Sequence, residues 1–485
     1  MPLIWFSQKY PDVAKEYGNA LDLTLKGTGF IVKGINENFF AAILGSLGNP
    51  TSPIVYANIE DRFYGYDEIE GIYVVKSKQE IVFRLSKIMQ QCADDCKNKF
   101  FGMSYDAEPL VFYFSKAAQL SGVIEKAKGM LAVKENFFET NLEEYIVCKN
   151  GMLQLSDRTL LPFDPKYRRR NKLAVNYDPA AKCADFMEKL LKPALTEADI
   201  NLLQQWCGLC LTGVNFSQVI VLLNGTAGGG KGTFIRVLHG IIGQHNVEQL
   251  RTEQLGGRFE TAEYIGKILL YGADVKATFL NNASASYLKS LTGGDPLNAE
   301  IKGVTGRPII YGKYLIIVTS NSRLKVNLEG DADAYRRRLI VIELNKTKPD
   351  SVIVNFSEQL LEKEASGILN WMLDGLDSLK RHGYVIELST EQKRTVDDLL
   401  LESESDRVFV KECLVRDESS ILTTSECFNA YSTYCKNRKW EPLDSRDASK
   451  LITHAIAVEF GQSQRNDIPN SQGKAQRGWK GIKVK

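Results

Sequence analysis

Gly225-Thr226-Ala227-Gly228-Gly229-Gly230-Lys231-Gly232-Thr233, directly after the apolar run Val219-Ile220-Val221-Leu222-Leu223, decides the reading of this chain. A strand that runs into a glycine loop and then into an apolar helix predicts a nucleotide phosphate site. Successive glycines let backbone N–H groups converge on phosphate oxygens, and the helix aims its positive end at them. Lys231 is placed to neutralise the β/γ-phosphates of ATP, and Thr233 is the natural ligand for Mg²⁺. Gly232 stands between the lysine and the hydroxyl, a one-residue departure from G-x-x-x-x-G-K-[ST] that some phosphoryl-transfer loops share.

Outward from the loop, residues 216 to about 345 alternate apolar strands with helices, the pattern of a parallel α/β sheet. Ile268 to Asp274 reads as a second central strand and Tyr314 to Asn321 as a third. Ligands of such sheets sit at the carboxyl ends of the strands, where Asp274 and Asn321 fall. Asp274 occupies the place of a carboxylate that holds Mg²⁺ and polarises a water, with a capping or turn role as its alternative. Asn321 is suited to orient the attacking water or sense the γ-phosphate, although asparagine after a strand also forms turns. Tyr335-Arg336-Arg337-Arg338 follows the acidic stretch Glu329 to Asp333. Such a cluster can reach the γ-phosphate bound by a neighbouring subunit, Arg337 first and Arg336 second, or can pair with Asp331 and Asp333 on a solvated face.

The remaining chain divides around this unit. Residues 1–135 mix short strands with one helix near Lys78 to Cys96, and residues 136–215 form a hairpin around Asn150-Gly151 and a helical stretch that leads into the strand of the glycine loop. Residues 216–380 are the unit that carries the glycine loop, closed by a helix over Phe356 to Leu379. Residues 381–485 begin with a polar segment and end in a small α/β module of winged-helix pattern, with helices over Cys427 to Lys436 and Ser445 to Phe460. The expected fold class is thus α/β: an AAA+-like P-loop core with an α+β N-terminal region and a C-terminal winged helix.

The bulk numbers exclude several classes. A net charge of +2 means that any nucleic-acid site is a local patch or arises by assembling subunits. No run of about 18 uncharged apolar residues is present, and the first residues do not have the pattern of a secretory signal, so a cytoplasmic, membrane-free protein is expected. Nine scattered cysteines read as free thiols. Cys207-Gly208-Leu209-Cys210 has metal-ligand spacing but lies in an apolar segment without a second pair, which makes them core cysteines. The four histidines are too dispersed to form a metal site or a triad. Local basic stretches remain: Lys166 to Lys172, as likely a solvated loop as a DNA patch, and the tail residues Arg465, Lys474, Arg477, Lys480, Lys483 and Lys485 around Trp479, which suit DNA contact by a wing.

Between the second and third strands lie Leu291-Thr292-Gly293-Gly294-Asp295 and Lys302-Gly303-Val304-Thr305-Gly306-Arg307. Together with the glycine loop, the strand-end acid, Thr319-Ser320-Asn321, the arginine cluster and Gly367-Ile368-Leu369-Asn370-Trp371, this order resembles a superfamily 3 DNA helicase of the phage and plasmid primase-helicase group, similar to the poxvirus-type primase-helicases. The resemblance covers residues 136–485. It implies a ring, expected to be a hexamer, that unwinds DNA 3′-to-5′ in replicating a phage, plasmid or other mobile element in a bacterial host cell. It implies ATP and Mg²⁺ as cofactors and single-stranded and forked DNA as partners, with a replication initiator or primase as a further protein partner. Lys231 and Thr233 then hold Mg-ATP, Asp274 is the Walker B acid, Asn321 the sensor, and one of Arg336 to Arg338 the finger. Lys289 and Lys302 match basic positions that face DNA in the ring's channel, with Arg307 and Lys313 in the same stretch and Arg477 and Lys480 in the tail. Two positions depart from the group: Asp274 stands alone where two acids or a terminal glutamate are usual, and Glu300 stands where arginine is frequent. A bifunctional primase-helicase, an ATP-dependent initiator or loader with little turnover, and a small-molecule kinase are the alternatives.

Overall fold

The computed structural model describes residues 5–26, 29–45, 50–100, 117–252, 254–255, 257, 259–275, 285–300, 309–321, 332–344, 353–469 and 473–485. Its centre is a five-stranded parallel sheet. In chain order the strands are β1 (Ile220–Gly225), β2 (Val247–Gln249), β3 (Leu269–Gly272), β4 (Leu315–Ser320) and β5 (Leu339–Leu344); across the sheet they lie β2-β3-β4-β1-β5. Strands β1, β4 and β5 are almost continuous apolar runs, as a sheet covered on both faces requires. Side chains alternate accordingly. Val221, Leu223, Leu315, Ile317, Ile340 and Ile342 enter one core, and Ile220, Leu222, Ile316, Val318, Leu339 and Val341 enter another.

The first core is closed by helices α1 (Glu197–Thr212), α2 (Lys231–Ile242) and, later in the chain, a 26-residue helix at Phe356–Arg381. Helix α1 crosses this long helix in backbone contact. A Cβ on Gly208 would stand 2.4 Å from the Leu376 nitrogen, and one on Gly375 would stand 2.2 Å from the Gln204 carbonyl. Trp206, Leu369, Met372 and Leu376 fill the crossing. The second core is closed by α3 (Ala285–Gly293) and by α5 (Thr390–Ser403), the long helix being α4.

Two expected boundaries are therefore not boundaries of packing. The segment before residue 216 contributes Ile146, Leu153 and most of α1 to the same core as the sheet. The segment read as polar after residue 380 contains α5, whose Val396, Leu399 and Leu400 bury against the sheet while most of its other positions are polar. Few apolar positions at helical spacing give that amphipathic helix its polar look. A separate C-terminal core begins only at Phe409.

That C-terminal unit comprises α6 (Ser405–Cys413), β6 (Leu414–Thr423), α7 (Thr424–Asn437), α8 (Ser445–Phe460), β7 (Arg465–Pro469) and β8 (Ala475–Val484). Its antiparallel sheet has the order β6-β8-β7. Thr423 and Glu426 form a reciprocal cap at the start of α7, and Asp444 caps α8.

The N-terminal region is an α+β unit. Strands Ile72–Lys76, Arg62–Asp67, Ile54–Ala57 and Ala132–Val133 form one sheet in that order, packed with helices Glu37–Leu44, Lys78–Phe100 and Ala117–Met130. Residues 168–172 fasten it to the central unit. The Tyr73 N–H donates to the Arg169 carbonyl at 2.7 Å, Arg170 pairs with Glu60, Lys172 Nζ lies 3.0 Å from Glu70, and Asn171 donates to Asn246 and Gly266.

Candidate nucleotide site

Strand β1 ends at Gly225, the loop turns through Gly228 (φ 83°), and Gly230 (φ 99°) opens α2 in the left-handed region. A Cβ on Gly225 would lie 2.2 Å from the Leu344 carbonyl, so the loop lies on the end of β5 only because that residue is glycine. Lys231 is buried, and its Nζ donates to the carbonyls of Gly225 (2.6 Å) and Thr226 (3.0 Å). Burial pushes its pKa below the ordinary lysine value, against the pull of the Asp274 charge. A phosphate oxygen entering the loop would replace these neutral acceptors with a charged one, a stronger partner. Thr233 is half-buried on the first turn of α2, about 100° around the helix from the position that directly follows the lysine. Beside the loop, Asn224 is buried, and neither of its amide atoms has a hydrogen-bond partner among the described residues.

Asp274 and Asn321 come together at the carboxyl ends of β3 and β4. Asp274 lies two residues past its strand, in the left-handed region at φ 39°, which costs energy for a residue with a side chain. It is fixed there from β4: its N–H donates to Thr319 Oγ1 at 3.0 Å, the Val275 N–H donates to the Thr319 carbonyl at 2.9 Å, and Asn321 Nδ2 stands 3.4 Å from Asp274 Oδ1. Both side chains are exposed. The loop, the lysine, the carboxylate and the amide thus share one edge of the sheet.

The arginines lie on the other edge. Leu339, directly after Arg338, pairs with Ile220 at the start of β1, while Leu344 pairs with Gly225 at its end. The strand length separates the arginines from the glycine loop by roughly 15–20 Å. Arg336 donates from Nε to Asp397 Oδ1 on α5 at 2.7 Å and also pairs with Asp333. Arg337 is exposed and unpaired among the described residues. Arg338 is buried and donates to the Ala334 carbonyl at 3.2 Å.

The DNA-facing candidates scatter. Lys289, on α3, places its Nζ 4.8 Å from the Tyr335 ring centroid. Lys313 Nζ is 2.8 Å from Glu139 Oε2, engaged with the segment before the sheet rather than open to a phosphate backbone. Lys302 and Arg307 lie outside the described residues. Arg477 and Lys480 are exposed on β8, but Trp479 between them is buried in the C-terminal core. It holds the fold of the tail and is not available to stack on a base.

Within the basic run 166–172, Arg169, Arg170 and Lys172 are internal fastenings, while Lys166 and Arg168 are exposed. Arg169 is buried and donates to the Thr140 and Asn141 carbonyls; Arg168 and Arg170 lie 5.0 and 4.9 Å from the Phe137 and Phe138 ring centroids. Cys207 and Cys210 are buried in the first core, where desolvation pushes both thiols well up. Sequence reasoning missed Asp397 entirely. Its only signal was an Asp397-Asp398 pair in a segment read as polar. Among the described residues, no helix is long and apolar enough to cross a membrane.

Residues 57–194 match the family described as D5 N terminal like, and residues 223–338 match a family of unknown function, DUF5906. The first match extends the resemblance well upstream of residue 136, into the region that the sequence reading left without a counterpart. The fold is similar to the apo structure of the NrS-1 C-terminal region (305–718), at 12% identity over 91% of this chain and 98% of that one, with a TM-score of 0.50. An A-form apo structure of the same region gives 11% identity over 90% and 98%, with a TM-score of 0.48. No curated protein matches the sequence.

Proposed function

We propose that the chain is an ATP-hydrolysing replicative DNA helicase of the superfamily 3 type, related to the phage and plasmid primase-helicases and working as a ring. The observation that carries this reading is the split between the two edges of the sheet. Lys231, Asp274 and Asn321 meet at the carboxyl edge, while Arg336 to Arg338 precede β5 at the amino edge, too far away to serve the same nucleotide. A complete site therefore needs arginine from a second copy, which is how a ring couples hydrolysis between neighbours. The strand order, with the loop-bearing strand between β4 and β5, supports an AAA+-like core. The tail, with α8 following α7 and the β7–β8 ribbon after it, supports a winged helix. In this role Lys231 binds the β/γ-phosphates of ATP, Thr233 and Asp274 hold Mg²⁺, and Asn321 orients the attacking water.

The test is ATP turnover with and without single-stranded DNA, together with unwinding of a forked duplex, for the wild type and Lys231→Ala. Stimulated turnover and unwinding that vanish in the variant support the reading. Unwinding by Lys231→Ala at the wild-type rate overturns it. A second reading, an ATP-dependent initiator or loader with little turnover, is favoured by the single strand-end carboxylate, Asp274. ATP-dependent DNA binding without phosphate release would select it.

A further inference from the structure

We propose that Asp397 is a positioning residue for the neighbouring subunit's reaction. Resting on the motor reading above, it holds Arg336 as the arginine delivered in trans and ties that arginine to the C-terminal unit. Helix α5 works on three sides. Val396, Leu399 and Leu400 are buried against the sheet, which fixes the helix. Asp397, one step around, accepts the Arg336 Nε–H at 2.7 Å. Asp398, one step further, accepts from Trp440 Nε1 at 3.1 Å, and Glu402 Oε1 accepts the Glu441 N–H at 3.0 Å. Both of those partners belong to the loop between α7 and α8 of the tail.

The geometry at Arg336 separates it from its neighbours in sequence. Arg338 is buried with the sheet, and Arg337 is exposed with no side-chain partner among the described residues. Arg336 is half-exposed while Asp397 and Asp333 engage its Nε and Nη1. A guanidinium gripped at Nε and Nη1 by two carboxylates keeps a fixed orientation at low entropic cost, as an arginine acting on another chain's phosphate requires. A carboxylate at this position raises kcat only through Arg336.

The experiment compares Asp397→Asn, Asp397→Glu, Arg336→Ala, Arg337→Ala and the Arg336→Ala/Asp397→Asn double variant in the full-length chain, by DNA-stimulated kcat and KM for ATP. Asp397→Asn is expected to lower kcat roughly tenfold or more and leave KM within about twofold, with Arg336→Ala at least as severe. The double variant should be no worse than Arg336→Ala, and Asp397→Glu should recover most of the rate. Lys231→Ala chains, whose Asp397 is intact, should restore turnover to Asp397→Asn chains in mixed assemblies, an effect no folding defect produces. An unchanged or faster Asp397→Asn enzyme, additive losses in the double variant, or a loss confined to Arg337→Ala overturns the proposal and leaves the motor reading standing. Wild-type turnover by Lys231→Ala overturns the motor reading itself.

Discussion

Asn321 and Asp274, contributed by the ends of adjacent strands, face one another with Asn321 Nδ2 3.4 Å from Asp274 Oδ1, and Asp274 holds a left-handed backbone that β4 fixes through Thr319. Strain kept in place by a neighbouring strand fits a carboxylate whose position matters to a reaction. On the proposed reading, in which the Asp274 charge helps to hold Mg²⁺, Asp274→Asn should keep ATP binding and lose most turnover while the fold of the turn stays intact. Asn321→Ala should lower kcat with little change in KM. A fluorescent ATP analogue reports binding, and phosphate release reports turnover. Turnover by Asp274→Asn equal to that of the wild type would exclude the residue from the metal site.

The glycine loop makes a sharper demand. A methyl group on Gly225 would meet the Leu344 carbonyl at 2.2 Å, in a backbone conformation (φ 149°) that side chains rarely adopt. Gly225→Ala must displace either the loop or the end of β5. We expect nucleotide binding to be abolished and stability to fall by about 1–3 kcal/mol, read by thermal unfolding with and without ATP. Full binding by this variant would show that the loop tolerates a shift away from β5.

How much of this was legible follows from the kind of interaction involved. The continuous apolar runs announce a sheet buried on both faces, and the glycine loop after Val219 to Leu223 marks one edge of it, so the central sheet and the loop at the end of β1 were readable from local sequence. Pairing across long separations was not. Arg170 and Lys172 look like an exposed basic patch until Glu60 and Glu70, each about 100 residues earlier, fold back upon them. Lys313 meets Glu139, Arg336 meets Asp397, and Trp479 turns inward, none of which any local pattern records. The packing of α5 on the sheet was hidden for a related reason, since it rests on three apolar residues among many polar ones.

The Glu60–Arg170 pair gives a pH dependence of definite sign. Desolvation by burial acts to raise the Glu60 pKa. The Arg170 charge, helped by hydrogen bonds from Tyr64 and Arg170, outweighs it and leaves the carboxyl below its ordinary value. A folded-state value below the unfolded one means that the pair stabilises above the unfolded pKa of about 4.3. Its contribution is lost as pH falls through the lower, folded value. Glu60→Gln should therefore cost about 3 kcal/mol at pH 7, because Arg170 is left buried beside a neutral partner. The difference from wild type should shrink toward acid. Urea unfolding at a series of pH values checks this, and a difference that is constant with pH would assign the loss to packing alone.

On β8 three nearby positions separate fold from binding: Arg477 and Lys480 are exposed, while Trp479 is 1% exposed and packs in the core with Tyr431, Phe409 and Ile456. If the tail contacts DNA through its phosphates, Arg477→Ala and Lys480→Ala should each weaken binding evenly across sequences, and each should reduce the slope of log K against log salt by about 1. Neither should move the melting temperature, since both side chains face solvent. Trp479→Ala should do the opposite. It removes the largest buried side chain of this core at a cost of about 3–5 kcal/mol, and any loss of DNA binding should follow the loss of folded tail. Fluorescence anisotropy on a labelled single strand at several salt concentrations, paired with thermal unfolding, separates the two. A salt slope unaltered by both basic substitutions would remove β8 from the DNA interface, whatever Trp479→Ala does.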